Sequence, residues 1–161
     1  MDATDVRHLR RAIELARLAR EHGNQPFGSL LVDGSGAVRA EHQNLVVTER
    51  DDTCHPELTL VRWAGRNLTA DERAQATVYT SCEHCPMCAA ATYWAGIGRI
   101  VFALGGARFR ELLPAGAPYL ALGTRELFTR GNRAVRVDGP CPELEDEAVA
   151  VHEGFWTGPP R

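Results

Sequence analysis

Two short segments carry residue types that could do chemistry together. They are Cys54-His55-Pro56-Glu57 and Ser81-Cys82-Glu83-His84-Cys85-Pro86-Met87-Cys88. Each lies where a helix is expected to begin, just after a loop or strand. Cys85 and Cys88 are three positions apart, so at a helix start they share one face. The positive end of a helix favours the thiolate form that a metal requires. Two thiolates and the His55 imidazole make three soft or borderline ligands. That set suits tetrahedral zinc with a fourth place left for water. Zinc lowers the pKa of such a water to about 7. Glu57 is the carboxylate placed to take its proton. A helical wheel does not by itself bring positions 55 and 57 together. The reading requires His55 to sit at the irregular entrance of its helix.

Spacing alone leaves other readings open. H-x-E is a weak signal, and a lone C-x-x-C serves equally as a redox pair or half of a structural zinc site. Cys82 and Cys85 form a second pair at the same spacing, and Cys82 or His84 could complete a four-ligand structural site.

The elements that must position these residues follow from periodicity. Residues 4–22 read as an amphipathic helix, with Thr4 as N-cap and Gly23 as stop. Residues 27–33 and 37–47 read as a hairpin about Gly34-Ser35-Gly36. A polar loop covers 48–53, and a helix covers 55–65 with Pro56 in its first turn. A buried strand at 76–81, a helix at 86–95 stopped by Gly96 and Gly98, and a strand at 99–104 follow. Residues 105–123, rich in Gly and Pro, carry no assignment. A short helix at 124–130, a strand at 134–137 and a Glu-rich helix at 142–154 complete the chain. A hairpin followed by alternating strands and helices implies an α/β fold, a mixed sheet covered by helices on both faces.

With these residues in view, the chain resembles the cytidine deaminase superfamily, whose signature is H-x-E followed later by P-C-x-x-C. It is most similar to the guanine deaminases and tRNA adenosine deaminases. The resemblance rests on Pro26-Phe27-Gly28-Ser29, Asn44, His55-Pro56-Glu57, the Cys85-Pro86-Met87-Cys88 run and Tyr93-Trp94-Ala95 through Phe102. It covers residues 5 to 104 in order. It implies a three-layer α/β/α sandwich with a central mixed sheet of about five strands, in a single zinc-dependent deaminase domain over 1–161. It implies Zn2+ on His55, Cys85 and Cys88, with Glu57 as the proton shuttle. Asn44 corresponds to the residue that hydrogen-bonds the heterocycle, Phe27 to the apolar wall against the ring, and Trp94 to a residue closing the pocket. Cys54 and Cys82 are then buried or neighbouring thiols, and Met87 is packing. The implied reaction is hydrolytic release of ammonia from an amino-substituted nucleobase or nucleoside, guanine deaminase-like first.

Two positions depart from the family pattern. Pro56 stands where alanine is usual and has no backbone N–H to offer a ring acceptor. His84 stands where proline usually precedes Cys85, and brings either a looser loop or a polar group near the metal. No clear match exists for the acid that reads guanine's 2-amino group; Glu111, Glu143 and Glu145 are the candidates.

Composition narrows the partners. The chain has 161 residues, 44% hydrophobic and 24% charged, with a formal net charge of −3. That balance fits one soluble domain and argues against a phosphate backbone as the habitual partner. A small molecule is the expected substrate. No stretch approaches the ~18 apolar residues of a membrane span. Clustered thiols point to metal chemistry in a reducing cytoplasm. A homodimer is the expected assembly. The rival readings are a cytosine or cytidine deaminase, a tRNA adenosine deaminase, and a non-catalytic zinc-stabilised binding module with four protein ligands.

Overall fold

The computed structural model describes residues 1–157. In chain order the elements are α1 (Ala3–Glu21), β1 (Gly28–Val32), β2 (Val38–Gln43), α2 (Val46–Glu49), α3 (Pro56–Asn67), α4 (Ala70–Gln75) and β3 (Thr77–Cys82). Then come α5 (Pro86–Ala95), β4 (Arg99–Leu104), α6 (Gly106–Arg110), α7 (Thr124–Phe128), β5 (Arg136–Asp138) and α8 (Glu145–Ala150). The five strands form one sheet in the order β2-β1-β3-β4-β5. β1 runs antiparallel to β2 and β3, while β3, β4 and β5 are mutually parallel neighbours. This is the mixed five-stranded sheet expected from the sequence.

Side-chain alternation along the strands builds the layers. Leu30, Val32, Tyr79, Val101 and Ala103 share a core with Leu9, Ile13 and Ala16 of α1 and Ala148 and Val149 of α8. The intervening residues Leu31 and Val78 pack with Leu60 and Ala64 of α3, and Ile100 and Phe102 pack with Ala89 of α5 and Phe128 of α7. Helices therefore cover both faces. Each fully buried Leu or Ile here contributes about 1.5–3 kcal/mol of transfer free energy.

Two details explain residues that the sequence only marked. A Cβ on Gly28 would lie 2.4 Å from the Ala12 carbonyl oxygen and 2.5 Å from the Ala16 nitrogen. The start of β1 rests directly on the backbone of α1, which only glycine permits. Asp5, 4% exposed, accepts from both Arg99 terminal nitrogens at 2.8 Å and from the Tyr79 hydroxyl at 2.7 Å. Arg99 Nε also reaches Asp138 at 2.7 Å, so one guanidinium ties α1, β3, β4 and β5 together.

Several boundaries differ from the expected ones. α1 is capped by Asp2, not Thr4; the Asp2 carboxylate accepts from the Thr4 and Asp5 N–H groups. β2 ends at Gln43 rather than 47, because the Asn44 side chain accepts from the Val46 N–H and turns the chain into α2. α4 is an element the sequence reading does not assign, although Thr69-Ala70-Asp71-Glu72 forms a reciprocal capping box. α8 is confined to Glu145–Ala150, and the flanking residues are turns.

Candidate active site

Two helix N-termini meet at the carboxyl end of β3. α5 follows β3 after the short link Glu83–Cys85, with Cys85 as its N-cap and Pro86 in its first turn. α3 packs against α5, with His55 as N-cap in extended conformation and Pro56 in its first turn. The extended backbone at His55 allows positions 55 and 57 to face one point, as the sequence reading required. Helix ends at the carboxyl edge of parallel strands are where open α/β sheets place ligands.

The His55 Nδ1 lies 3.7 Å from Cys85 Sγ and 3.6 Å from Cys88 Sγ. One ligand atom from each of the three residues falls within 4.8 Å of the others. No fourth His, Cys, Asp or Glu joins this group among the described residues. Cys82 and His84, which could have completed a four-ligand site, stand outside it. A Cys2His set with room for one more ligand is the donor chemistry of an open zinc site.

The sulfurs are electrostatically prepared. A hydrogen bond from the Cys88 thiol, reinforced by His55, holds the Cys85 thiol down to about 4. The same bond, with burial and the nearby Glu57 charge, drives Cys88 upward.

Glu57 is 4% exposed and faces the same point, its Oε2 lying 3.8 Å from Cys88 Sγ. Burial raises its pKa, against the opposing charge of His55. Its other oxygen, Oε1, accepts from the Thr80 hydroxyl at 2.9 Å, and Thr80 in turn accepts from Ser29 at 2.9 Å. Both hydroxyls are completely buried. In the sequence Ser29 stands out only within Pro26-Phe27-Gly28-Ser29, and Thr80 only as part of the buried strand at 76–81. Their signal is that polar residues sit at inward positions of central strands, and it becomes legible only when strand register is known.

A cavity of ≈ 300 Å³ opens onto these groups and is lined by His55, Glu57 and Cys85. Phe27 also lines it. Its ring packs with Phe109 at 5.4 Å and Trp156 at 6.1 Å between centroids, and both of those residues also line the cavity. Phe109 and Trp156 are recruited from distant sequence and carried no local signal.

Two expected substrate residues behave differently. Trp94 does not close the cavity: it is 81% exposed at the far end of α5, edge-on to Tyr93, and lies outside the lining. It lies seven positions beyond Met87, about 10 Å along the helix axis, which carries it away from the metal-facing first turn. Asn44 is fully buried beside Phe27, whose carbonyl accepts its N–H at 2.9 Å. Its Oδ1 is taken by Val46 and its Nδ2 has no partner, but it too is absent from the cavity lining. His84 does add a polar group. It is 3% exposed, lines the cavity, has neither ring nitrogen partnered, and is held neutral by burial, its pKa pushed down to about 4.

The profile of the cytidine and deoxycytidylate deaminase zinc-binding region matches residues 2–104. The chain belongs to this family. Its relatives include a probable cytosine deaminase of Schizosaccharomyces pombe, 34% identical over 156 residues, covering 96% of this chain and 93% of that protein. Bacillus subtilis guanine deaminase is 46% identical over 88 residues, covering 54% of this chain and 56% of the relative. The solved structure of the same B. subtilis enzyme superposes with a TM-score of 0.62 at 31% identity, covering 83% of this chain and 98% of that one. A guanine deaminase of Nitrosomonas europaea shares the fold, with a TM-score of 0.73 at 22% identity over 94% of this chain and 84% of the other. The deaminase family is enzymatic and zinc-dependent, and its members hydrolyse C–N bonds. As a deaminase of this family the chain takes zinc, and the Cys2His cluster is the donor set that fits it.

Proposed function

We propose that this chain is a single-domain deaminase that releases ammonia from a free amino-substituted nucleobase-like ring, with His55, Cys85 and Cys88 as zinc ligands and Glu57 as the catalytic acid–base. The observation that carries this reading is the buried Glu57 carboxylate facing a three-ligand cluster that lacks a fourth protein ligand. That arrangement disfavours the structural-zinc module, which needs four.

Zinc in this site supplies Lewis-acid polarisation and lowers the pKa of a coordinated water to about 7. The chain's own residues do the rest. Glu57 takes the proton that the attacking water loses and delivers it to the ring nitrogen. It then assists departure of the amine from the carbon that has gained the oxygen. Water and an amino-heterocycle become an oxo-heterocycle and ammonia. The raised pKa of Glu57 matches this double role, since a base that must return its proton works best near the operating pH. Phe27, Phe109 and Trp156 offer flat apolar surface to an aromatic ring.

Guanine and cytosine are the first rings to test. The B. subtilis likeness favours guanine, and the full-length likeness to the S. pombe protein favours cytosine as a second reading. The small cavity and the net charge of −3 support a small molecule over a tRNA loop. The reading places the enzyme in the cytoplasm; no helix among the described residues is long and apolar enough to cross a membrane. A homodimer fits the apolar stripe that Met87 and Trp94 leave exposed on α5, 37% and 81%. The deciding experiment is ammonia release from aminopurines and aminopyrimidines by the zinc-loaded protein. Glu57→Gln is expected to retain zinc and lose turnover by about 10²–10⁴-fold. Turnover by that variant at the wild-type rate rejects the assignment.

A further inference from the structure

One acid of the second segment takes no part in the cluster. Glu83 lies two positions before Cys85 and lines the cavity, but it stands outside the metal-facing group. Its two oxygens are engaged elsewhere. Oε2 accepts from the Gly106 N–H and Oε1 from the Thr124 N–H, each at 2.9 Å. Gly106 is the first residue of α6 and Thr124 the first of α7. The opening N–H groups of a helix have no partner within it, and the residue just before usually supplies one from its side chain. Here both preceding residues, Gly105 and Gly123, lack a side chain. One carboxylate from another part of the chain serves both helix starts. The fit is close: a Cβ on Gly106 would lie 3.1 Å from Oε2, and one on Gly123 would lie 3.4 Å from Oε1.

The stretch between these two anchors roofs the cavity. Phe109, Arg110, Leu113, Pro118, Tyr119 and Leu120 all line it. Little else ties the middle of the stretch down. Among the described residues, the N–H groups of 114–122 make one backbone hydrogen bond, Ala117 to the Pro114 carbonyl at 3.1 Å. Tyr119 and Leu120 are exposed. Glu83 is itself fixed in place, its N–H donating to the Leu104 carbonyl at 2.8 Å. The Thr124 hydroxyl adds a longer bond of 3.4 Å to the His84 carbonyl. The link that carries Cys85 and both ends of the roof therefore meet at one side chain.

Resting on the deaminase reading, we infer that Glu83 is a positioning residue: it sets the roof over the cavity relative to the link that carries Cys85, and so governs how the ring is held, not how it reacts. The role needs two acceptor oxygens. Glutamine offers one, and its NH2 is itself a donor, so it keeps one anchor and loses the other. Alanine loses both.

Amide exchange resolved by NMR and steady-state kinetics, both on zinc-loaded protein, test this. Exchange is expected to quicken tenfold or more at Gly106 or Thr124 in Glu83→Gln, and at both in Glu83→Ala, with α1 and β1 unchanged. With guanine and cytosine as substrates, KM is expected to rise tenfold or more in Glu83→Gln and further in Glu83→Ala. Zinc content is expected to hold and kcat to stay within threefold, the signature of lost binding shared by ground and transition states. Unchanged exchange at both amides overturns the tie. Quickened exchange with unchanged KM overturns the role in holding the ring. Zinc loss, or a fall in kcat at constant KM, assigns Glu83 to the cluster and overturns the proposal, as does exchange that quickens evenly over the chain. A wild type that releases no ammonia from any aminopurine or aminopyrimidine rejects the deaminase reading; quickened exchange confined to the two helix starts then still upholds the tie.

Discussion

The Thr80 hydroxyl donates to Glu57 Oε1 at 2.9 Å, from a central strand of the sheet to the buried carboxylate at the cluster. That bond leaves Oε2 as the oxygen directed toward the sulfurs. A hydrogen bond to a charged group is worth about 1.5–3 kcal/mol. Thr80→Val, nearly isosteric, is expected to lower kcat about 10- to 100-fold with zinc content unchanged and KM little altered. Thr80→Ser is expected to restore most of it. A Thr80→Val enzyme with full kcat removes Thr80 from the positioning of Glu57.

The ligand set predicts how zinc is lost. His55→Ala and Cys85→Ala are each expected to reduce bound zinc to a small fraction, measured by elemental analysis, and to abolish ammonia release. Cys54→Ser is expected to change neither, because Cys54 stands outside the cluster despite being the neighbour of His55. Chelator treatment of the wild type reproduces the His55→Ala phenotype, and added zinc reverses it. Full zinc retention by Cys85→Ala contradicts the assignment.

His152 sets a pH dependence. It sits among Phe27, Phe109 and Trp156, is 1% exposed, and accepts from the Trp156 indole at Nδ1, 3.3 Å away. Burial, aided by Arg20, pushes its pKa down to about 4 from an unperturbed 6.5. The unfolded chain therefore binds a proton between those values that the folded chain refuses. Stability falls as pH drops from about 6.5 to 4, by about 2–3 kcal/mol for this residue. Urea unfolding of wild type and His152→Gln across that range tests the sign: the variant is expected to show a shallower loss. His84, shifted in the same direction, keeps part of the slope in the variant.

The Asp5–Arg99 pair predicts a stability effect remote from the site. Burial opposes the Asp5 charge, but the Arg99 and Tyr79 hydrogen bonds outweigh it and hold the carboxyl well below its usual range. A carboxyl depressed in the folded state stabilises above its unfolded pKa of about 4, and that contribution is lost as pH falls below it. Asp5→Asn is expected to cost about 2–4 kcal/mol at pH 7, because it leaves the Arg99 charge without its main partner. Denaturant unfolding measures the cost, and kcat of the folded fraction is expected to stay within twofold.

The sequence by itself brought the candidate groups into view, because residue type and local spacing set His55, Glu57, Cys85 and Cys88 within two segments of eight residues or fewer. It left Cys82 and His84 as rival ligands, and only the fold gathers His55, Cys85 and Cys88 and leaves those two outside. The sequence also marked the strands of a mixed sheet, because alternating apolar residues and turn signals are local, while the order β2-β1-β3-β4-β5 belongs to the fold. The structure alone decided what faces the cavity. Trp94 looked like a pocket residue by position in a motif, yet the rotation of α5 turns it to solvent. Phe109, Arg110 and Trp156 reach the site from segments whose local pattern says nothing of it, since their approach depends on how α6 and the chain after α8 pack on the sheet. Thr80 and Ser29 became readable only through strand register. Contacts between residues far apart in sequence are fixed by packing, and no short-range pattern encodes them.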